Sequence, residues 1–243
     1  MPLQKVVIFL EGQGELIFIR KLLVLLNDPA KVSFECFELY GSLEQKVPYA
    51  YGMTNPYAEI YFKIINVGND ERVLTAIGER EEKLLKSGVD KIIGLRDMYS
   101  KAYRKRSKNV IDDNVTQETL KLVTTIIANM SNPDKINFHF SIIELETWWL
   151  SMYNLFARID DRLTVSFIKE KLGYNLSKID PEITFFHPSL EIEKIFKLVD
   201  TSYKKHFDDD ESITSKIKSS DICDATNYHR CDYFKKFCDD LKI

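Results

Sequence analysis

The sequence predicts an α/β fold: a mainly parallel sheet flanked by helices, with a C-terminal α-rich part. Three observations predict it. Over residues 1–160, short β-branched and aromatic runs alternate with segments of helical spacing. The first run, KVVIFLE at 5–11, is continuously apolar, as expected of a strand covered on both faces. After Asp161 the strand signals fade and helical spacing dominates. The chain therefore reads as an α/β core over 1–160 and a helical part over 161–243 that packs on it.

The elements follow in order. Strand 5–11 runs into a helix over 15–26, where Leu16, Ile19, Leu22, Leu23 and Leu26 fall on one face, and Asn27-Asp28-Pro29 stops it. Residues 32–39 alternate like a strand. Residues 41–56 carry turn residues and tyrosines and read as an excursion. Residues 60–67 form another strand. Asn69-Asp70 caps a long helix through 85 that stops at Gly88. A short strand at 91–95 ends at Arg96-Asp97. Thr116 starts a helix with Glu118 in its first turn, running to about 130. Strand 136–143 ends at Glu144 and leads directly into a helix through Trp148, Trp149 and Phe156. Beyond 161, Phe167-Ile168, 190–199 and 233–241 look helical, and the acidic run 208–211 reads as a solvated loop.

Composition excludes several classes. With 243 residues and 44% hydrophobic side chains, the chain can bury a full core. A net charge of −3 gives no global basic field for nucleic acid, so such binding needs a local patch. The four cysteines contain no C-x-x-C pair and read as reduced thiols in an intracellular protein. No stretch approaches the roughly 20 apolar residues of a membrane span. The N-terminus lacks the layout of a signal peptide, so cytoplasmic is the expected location.

The candidate site comes from strand ends. Glu11, Asp97 and Glu144 each terminate an apolar run. In open parallel sheets the ligand crevice lies beyond the carboxyl ends of the strands, so neighbouring strands would bring these acids together. Glu15 and Glu146 would project from the first turns of the following helices. Such oxygen ligands suit Mg²⁺ or Mn²⁺. A bound phosphate is disfavoured: the third glycine of a dinucleotide loop is Ile17 here, and no Gly-Lys-Ser/Thr exists in the chain. The plainer reading is that acids near helix starts complement the dipole, at about 0.3–1 kcal/mol each. That explains Glu15 and Glu146 as well as a metal does. It explains three strand-end acids less well.

The segment EGQGE at 11–15 resembles the first motif of the Toprim fold, shared by topoisomerases, primases and overcoming-lysogeny-defect nucleases. Together with IIELETWWL at 142–150 and the tail pattern FHPSLEIEKIFK, SYKK and CDYFKKF within 186–237, the chain is similar to a family of uncharacterised bacterial Toprim-like proteins, often encoded beside an ATPase. The resemblance implies that Glu11 is the catalytic glutamate, in acid–base work or metal holding. It implies that Asp97 is the first acid of an Asp-x-Asp metal motif, with Glu144 and Glu146 the acids of a later E-x-E-x-W segment. The second acid of Asp-x-Asp is Tyr99 here, and a Tyr hydroxyl is a poor Mg²⁺ ligand. Either another acid such as Glu144 completes the site, or metal binding is weakened.

After Asp97 comes YSKAYRKRSK at 99–108, in which Lys101, Arg104, Lys105, Arg106 and Lys108 interleave with Tyr99 and Tyr103. Basic residues with aromatics suit a nucleic-acid backbone plus base stacking. A flexible solvated loop is the bland alternative. Lys204-Lys205-His206 could touch a phosphate, and a solvated helix end explains them equally. Three functions stay open: a metal-dependent phosphoesterase, foremost a nuclease on DNA or RNA, with an ATPase partner; a non-catalytic binding or regulatory module with a degenerate metal site; and a small-molecule phosphohydrolase.

Overall fold

The computed structural model describes residues 3–47, 51–69, 71–227 and 230–242. Among the described residues six strands form one sheet: β1 (Gln4–Leu10), β2 (Val32–Tyr40), β3 (Leu43–Lys46), β4 (Ile60–Asn66), β5 (Lys91–Asp97) and β6 (Ile136–Ser141). Their spatial order is β3-β2-β4-β1-β5-β6. β1 lies between β4 and β5 and pairs parallel with both, and β2 pairs parallel with β4. The excursion after β2 contains an edge strand that its turn-rich composition hides. β3 pairs antiparallel with β2, Tyr40 opposite Leu43. The cap read at Asp70 and positions 48–50 of the excursion lie outside the described residues.

The helices, in chain order, are α1 (Gln13–Leu26), α2 (Arg72–Gly78), α3 (Glu81–Lys86), α4 (Lys101–Ser107), α5 (Asp113–Ala128), α6 (Glu146–Ser151), α7 (Phe156–Ile159), α8 (Val165–Leu172), α9 (Pro181–Thr184), α10 (Pro188–Lys197), α11 (Phe207–Ser215), α12 (Ser219–Thr226) and α13 (Asp232–Leu241). The chain divides into two compact units: residues 1–96, 113–140 and 241–243, and residues 97–112 and 141–240. The chain passes from one unit to the other at the ends of both β5 and β6.

In the first unit the continuous apolar run of β1 is explained by burial on both faces. Val6 to Leu10 are all buried. Each such side chain contributes about 1.5–3 kcal/mol relative to exposure. Val7 and Phe9 share a cluster with Ile65, Ile92 and the Val73, Ala76 and Ile77 face of α2. Gly94 is required in β5, since a Cβ there would lie 2.5 Å from Phe138 Cδ2 and 2.9 Å from Ile77 Cδ1. The helix expected over 70–85 is two helices. Arg80 leaves helical geometry (φ −125°, ψ −15°), and Glu81 then sits in the first turn of α3. There its buried carboxylate accepts Ser131 N at 2.6 Å and Asn132 Nδ2 at 3.2 Å. Anchoring that turn offsets the lost helical continuity.

The second unit is built around α6. Trp148 and Trp149 are both buried, so neither presents a face to a ligand. Trp148 stacks on Phe237 at 5.4 Å and packs against Phe234 at 4.7 Å, both on α13. The helix expected to continue to Phe156 breaks at Met152, whose ψ of 57° is non-helical. The acidic run 208–211 belongs to α11 rather than to a solvated loop, and Asp210 is buried with its carboxylate accepting from the Tyr203 hydroxyl at 3.3 Å. All four cysteines are thiols outside any disulfide, and Cys231 directly precedes α13. Among the described residues, no helix is long and apolar enough to cross a membrane.

Candidate metal centre

β1 and β5 are neighbours with Leu10 opposite Leu95. Glu11 and Asp97 are therefore one and two residues past the last paired positions, at the same edge of the sheet. Gly12 is the N-cap of α1, in extended geometry (φ −152°), and Glu15 is the third residue of that helix. The Glu15 carboxylate folds back over the N-cap: a Cβ on Gly12 would lie 2.9 Å from Glu15 Oε2. One carboxylate oxygen from each of Glu11, Glu15 and Asp97 lies within 4.8 Å of the other two. Trans oxygens around Mg²⁺ are separated by about 4.2 Å, given bonds near 2.1 Å. Cis oxygens are about 3.0 Å apart, and at most one pair of three ligands can be trans, so the three carboxylates would close by up to about 1–2 Å to hold a hard divalent cation. Glu15 and Asp97 are buried and Glu11 is half-buried. Asp97 also accepts a hydrogen bond from Ser141 Oγ at the end of β6.

The two later acids have a different arrangement. Glu144 and Glu146 lie outside that three-residue group and are ion-paired with Lys205, whose Nζ is 3.5 Å from Glu144 Oε1 and 3.1 Å from Glu146 Oε1. Glu146 is 1% exposed and accepts the Tyr203 hydroxyl at 2.8 Å. Burial pushes the Glu146 carboxyl up, against the pull of Lys205. Burial alone would lower the Lys205 ammonium, but Glu146, Asp97 and Glu144 outweigh it and push it up. Burial and the neighbouring Glu146 charge push Asp210 up to about 6. Lys205 is the residue that sequence reasoning ranked too low. It is 59 positions from Glu146, and no spacing links them.

The basic segment is neither loop nor uniformly available. It is the helix α4, capped by Ser100 Oγ accepting Tyr103 N at 3.1 Å and closed by Lys108 in the left-handed region. Lys101, Lys105, Arg106 and Lys108 are exposed, whereas Tyr103 is buried and cannot stack on a base. Arg104 is half-buried, with its guanidinium carbon 4.8 Å from the centre of the Tyr99 ring. The Tyr99 hydroxyl lies 3.4 Å from His187 Nδ1. Position 99 therefore faces an imidazole and a guanidinium.

A second acidic group, Asp180, Glu182 and Cys231, also has its donor atoms within 4.8 Å of one another. Here local structure accounts for it. Asp180 caps α9. Glu182 accepts Trp148 Nε1 at 3.1 Å, Tyr233 N at 3.1 Å and Phe234 N at 3.0 Å. It serves as an internal anion at the start of α13. Burial raises its carboxyl to about 7 against those three donors.

The fold and its strand-end acids define an α/β protein with a candidate hard-cation site. Comparison of the chain with protein-family models, curated proteins and solved structures finds no match.

Proposed function

We propose that the chain is a divalent-metal-dependent phosphoesterase that cleaves nucleic acid, DNA or RNA. The observation that carries this reading is the approach of the Glu11, Glu15 and Asp97 carboxylates to within 4.8 Å at the carboxyl ends of adjacent parallel strands. Glu15 and Asp97 would hold Mg²⁺ or Mn²⁺, and that ion, when bound, polarises a phosphoryl oxygen and acidifies a water. Glu11, the least buried of the three, is the proton-transfer group. Glu144 and Glu146 are assigned to Lys205 and hold it in place. The exposed cations of α4 meet the phosphodiester backbone. The resemblance of EGQGE to the Toprim motif supports the same assignment, and an ATPase encoded alongside is the partner it suggests.

A non-catalytic binding module is the second reading. The observation favouring it is Tyr99, whose hydroxyl is engaged with His187 where the resemblance expects a second metal ligand. A small-molecule phosphohydrolase shares the metal chemistry and differs in substrate.

Two measurements decide. Titration calorimetry with Mn²⁺ should give a heat that vanishes in Asp97→Asn. Plasmid nicking in Mn²⁺ should disappear in Glu11→Gln. Absence of any Mn²⁺ heat from the wild type overturns the metal reading. Metal binding without cleavage of nucleic acids or phosphate monoesters establishes the binding module. Mononucleotide hydrolysis that long DNA fails to inhibit establishes the small-molecule enzyme.

A further inference from the structure

Beside Asp97 in the chain stands an aromatic group that the proposed chemistry does not use. Tyr99 meets Phe186 edge-on at 5.5 Å between ring centres and His187 at 6.0 Å. Phe186 and His187 meet edge-on at 4.8 Å. All belong to the second compact unit. The neighbouring Phe185 is the core residue of this stretch: it is buried and packs on Tyr174 at 5.1 Å. Phe186 and Tyr99 are only half-buried, and His187 is exposed at the start of α10. Three rings thus gather at the surface next to a residue, Phe185, that already satisfies the core.

Cations lie against and beside the rings. Arg104 lies over Tyr99, and its buried Nε has no hydrogen-bond partner among the described residues. Lys101 and Lys105 are exposed on the same short helix. Among the described residues, no acid lies within ion-pair distance of these three cations. Aromatic faces beside uncompensated cations suit a polymer of bases and phosphates rather than an apolar peptide. Tyr99 is two residues from Asp97, a separation of at most about 7 Å along an extended chain. A duplex keeps its bases stacked on one another, so rings of this kind engage a base only when it is unpaired.

From this juxtaposition we propose that Tyr99, Phe186 and His187 form a stacking platform for an unpaired base, with Arg104, Lys101 and Lys105 on the flanking phosphates. The substrate class is therefore single-stranded nucleic acid. This rests on the nucleic-acid reading above and narrows it.

The test is fluorescence anisotropy in EDTA, which removes metal chemistry from the measurement. Labelled single-stranded and double-stranded oligonucleotides of one length are titrated with the full chain. Wild type should prefer the single strand. Phe186→Ala and His187→Ala should each weaken single-strand binding about tenfold and leave the duplex value unchanged. Phe186→Trp should restore binding. His187 is exposed, so its variant tests the platform even if Phe186→Ala fails to fold. Unchanged single-strand affinity in His187→Ala and Phe186→Ala, or a wild-type preference for duplex, overturns the platform and leaves the phosphoesterase reading to the Glu11→Gln assay. Failure of the wild type to bind either oligonucleotide overturns both this platform and the choice of nucleic acid as substrate.

Discussion

Gly12→Ala separates a metal-holding Glu15 from a merely helix-capping one. A Cβ at position 12 would sit 2.9 Å from Glu15 Oε2, about 0.5 Å inside ordinary contact near 3.4 Å. The backbone has no reason to move, because Gly12 is extended and Ala adopts that geometry freely. The carboxylate, at the end of a flexible side chain, moves instead. Metal–ligand distances tolerate about 0.2 Å. A forced shift of about 0.5 Å would therefore disengage one of the two proposed protein ligands, and a loss of about 10–100-fold in Mn²⁺ affinity is expected, the scale seen when a supporting group at a metal site is removed. Folding stability should hardly change. Alanine restricts the unfolded chain by about 0.4–1 kcal/mol relative to glycine, and alanine is a poorer N-cap by a similar amount.

The assay is Mn²⁺ calorimetry beside thermal unfolding in EDTA. Gly12→Ala should lose affinity at unchanged melting temperature. Gly12→Ala with Glu15→Gln should bind no more weakly than Glu15→Gln alone, since both act through one carboxylate. A wild-type Mn²⁺ affinity in Gly12→Ala, or a melting shift without an affinity change, refutes the reasoning and leaves Glu15 as a capping residue.

Three further perturbations have determined signs. Lys205→Met leaves the buried Glu146 without its cation and should cost about 1–3 kcal/mol, discounted from the buried-pair range because the lysine side chain is 48% exposed; adding Glu146→Gln should recover most of it in urea unfolding. Gly94→Ala overpacks the sheet against Phe138 and should cost about 1–3 kcal/mol by the same measurement. The carboxyl of Glu182 is raised from 4.5 to about 7, so the folded state holds its proton more tightly than the unfolded chain does. Wild-type stability attributable to it is full below about pH 4.5 and falls by about 3 kcal/mol as pH rises to 7. Glu182→Gln lacks that slope but sets an amide NH₂ against the Tyr233 N–H, a cost of about 1–3 kcal/mol. It should destabilise at pH 5 and be near neutral at pH 8, read by tryptophan fluorescence, because Trp148 donates to this carboxylate.

How much was legible in the sequence follows from which forces are local. β1 announced itself because every residue from Val6 to Leu10 is buried, and α1 because its apolar face repeats with helical spacing. The close approach of Glu11 and Asp97 follows from strand ends and parallel pairing alone. β3 was hidden because an edge strand exposing Leu43 needs no apolar pattern. The break at Arg80 was hidden because Glu81 answers to Ser131 and Asn132, fifty positions away. Lys205 was hidden for the same reason. Its sequence neighbours, Lys204 and His206, are exposed and make the run look like solvated charge. A positive charge drawn to distant buried acids leaves no local mark.

Backbone geometry carries a last signal at the later acids. Ile143 has φ 70° and Lys205 has φ 53°, both in the left-handed region. That region is rare for any side chain and most costly for a β-branched one. Such strain persists only where surrounding structure over-determines it. For Ile143 the constraint is visible: Met98 N donates to Ser141 O at 3.0 Å and Tyr99 N to Ile143 O at 3.0 Å, which extends pairing past the last residue of β5. The chain must then turn at Ile143 to start α6 three residues later. Glu144 leaves that turn toward Lys205, and the lysine answers from its own strained residue. Two adverse conformations are thus held on either side of one ion pair. Ile143 directly precedes the acid of that pair, and Lys205 supplies its cation. The same pairing past β5 holds the backbone on which both Asp97 and Tyr99 stand, so the proposed metal ligand and the proposed stacking ring share a single stretch of chain.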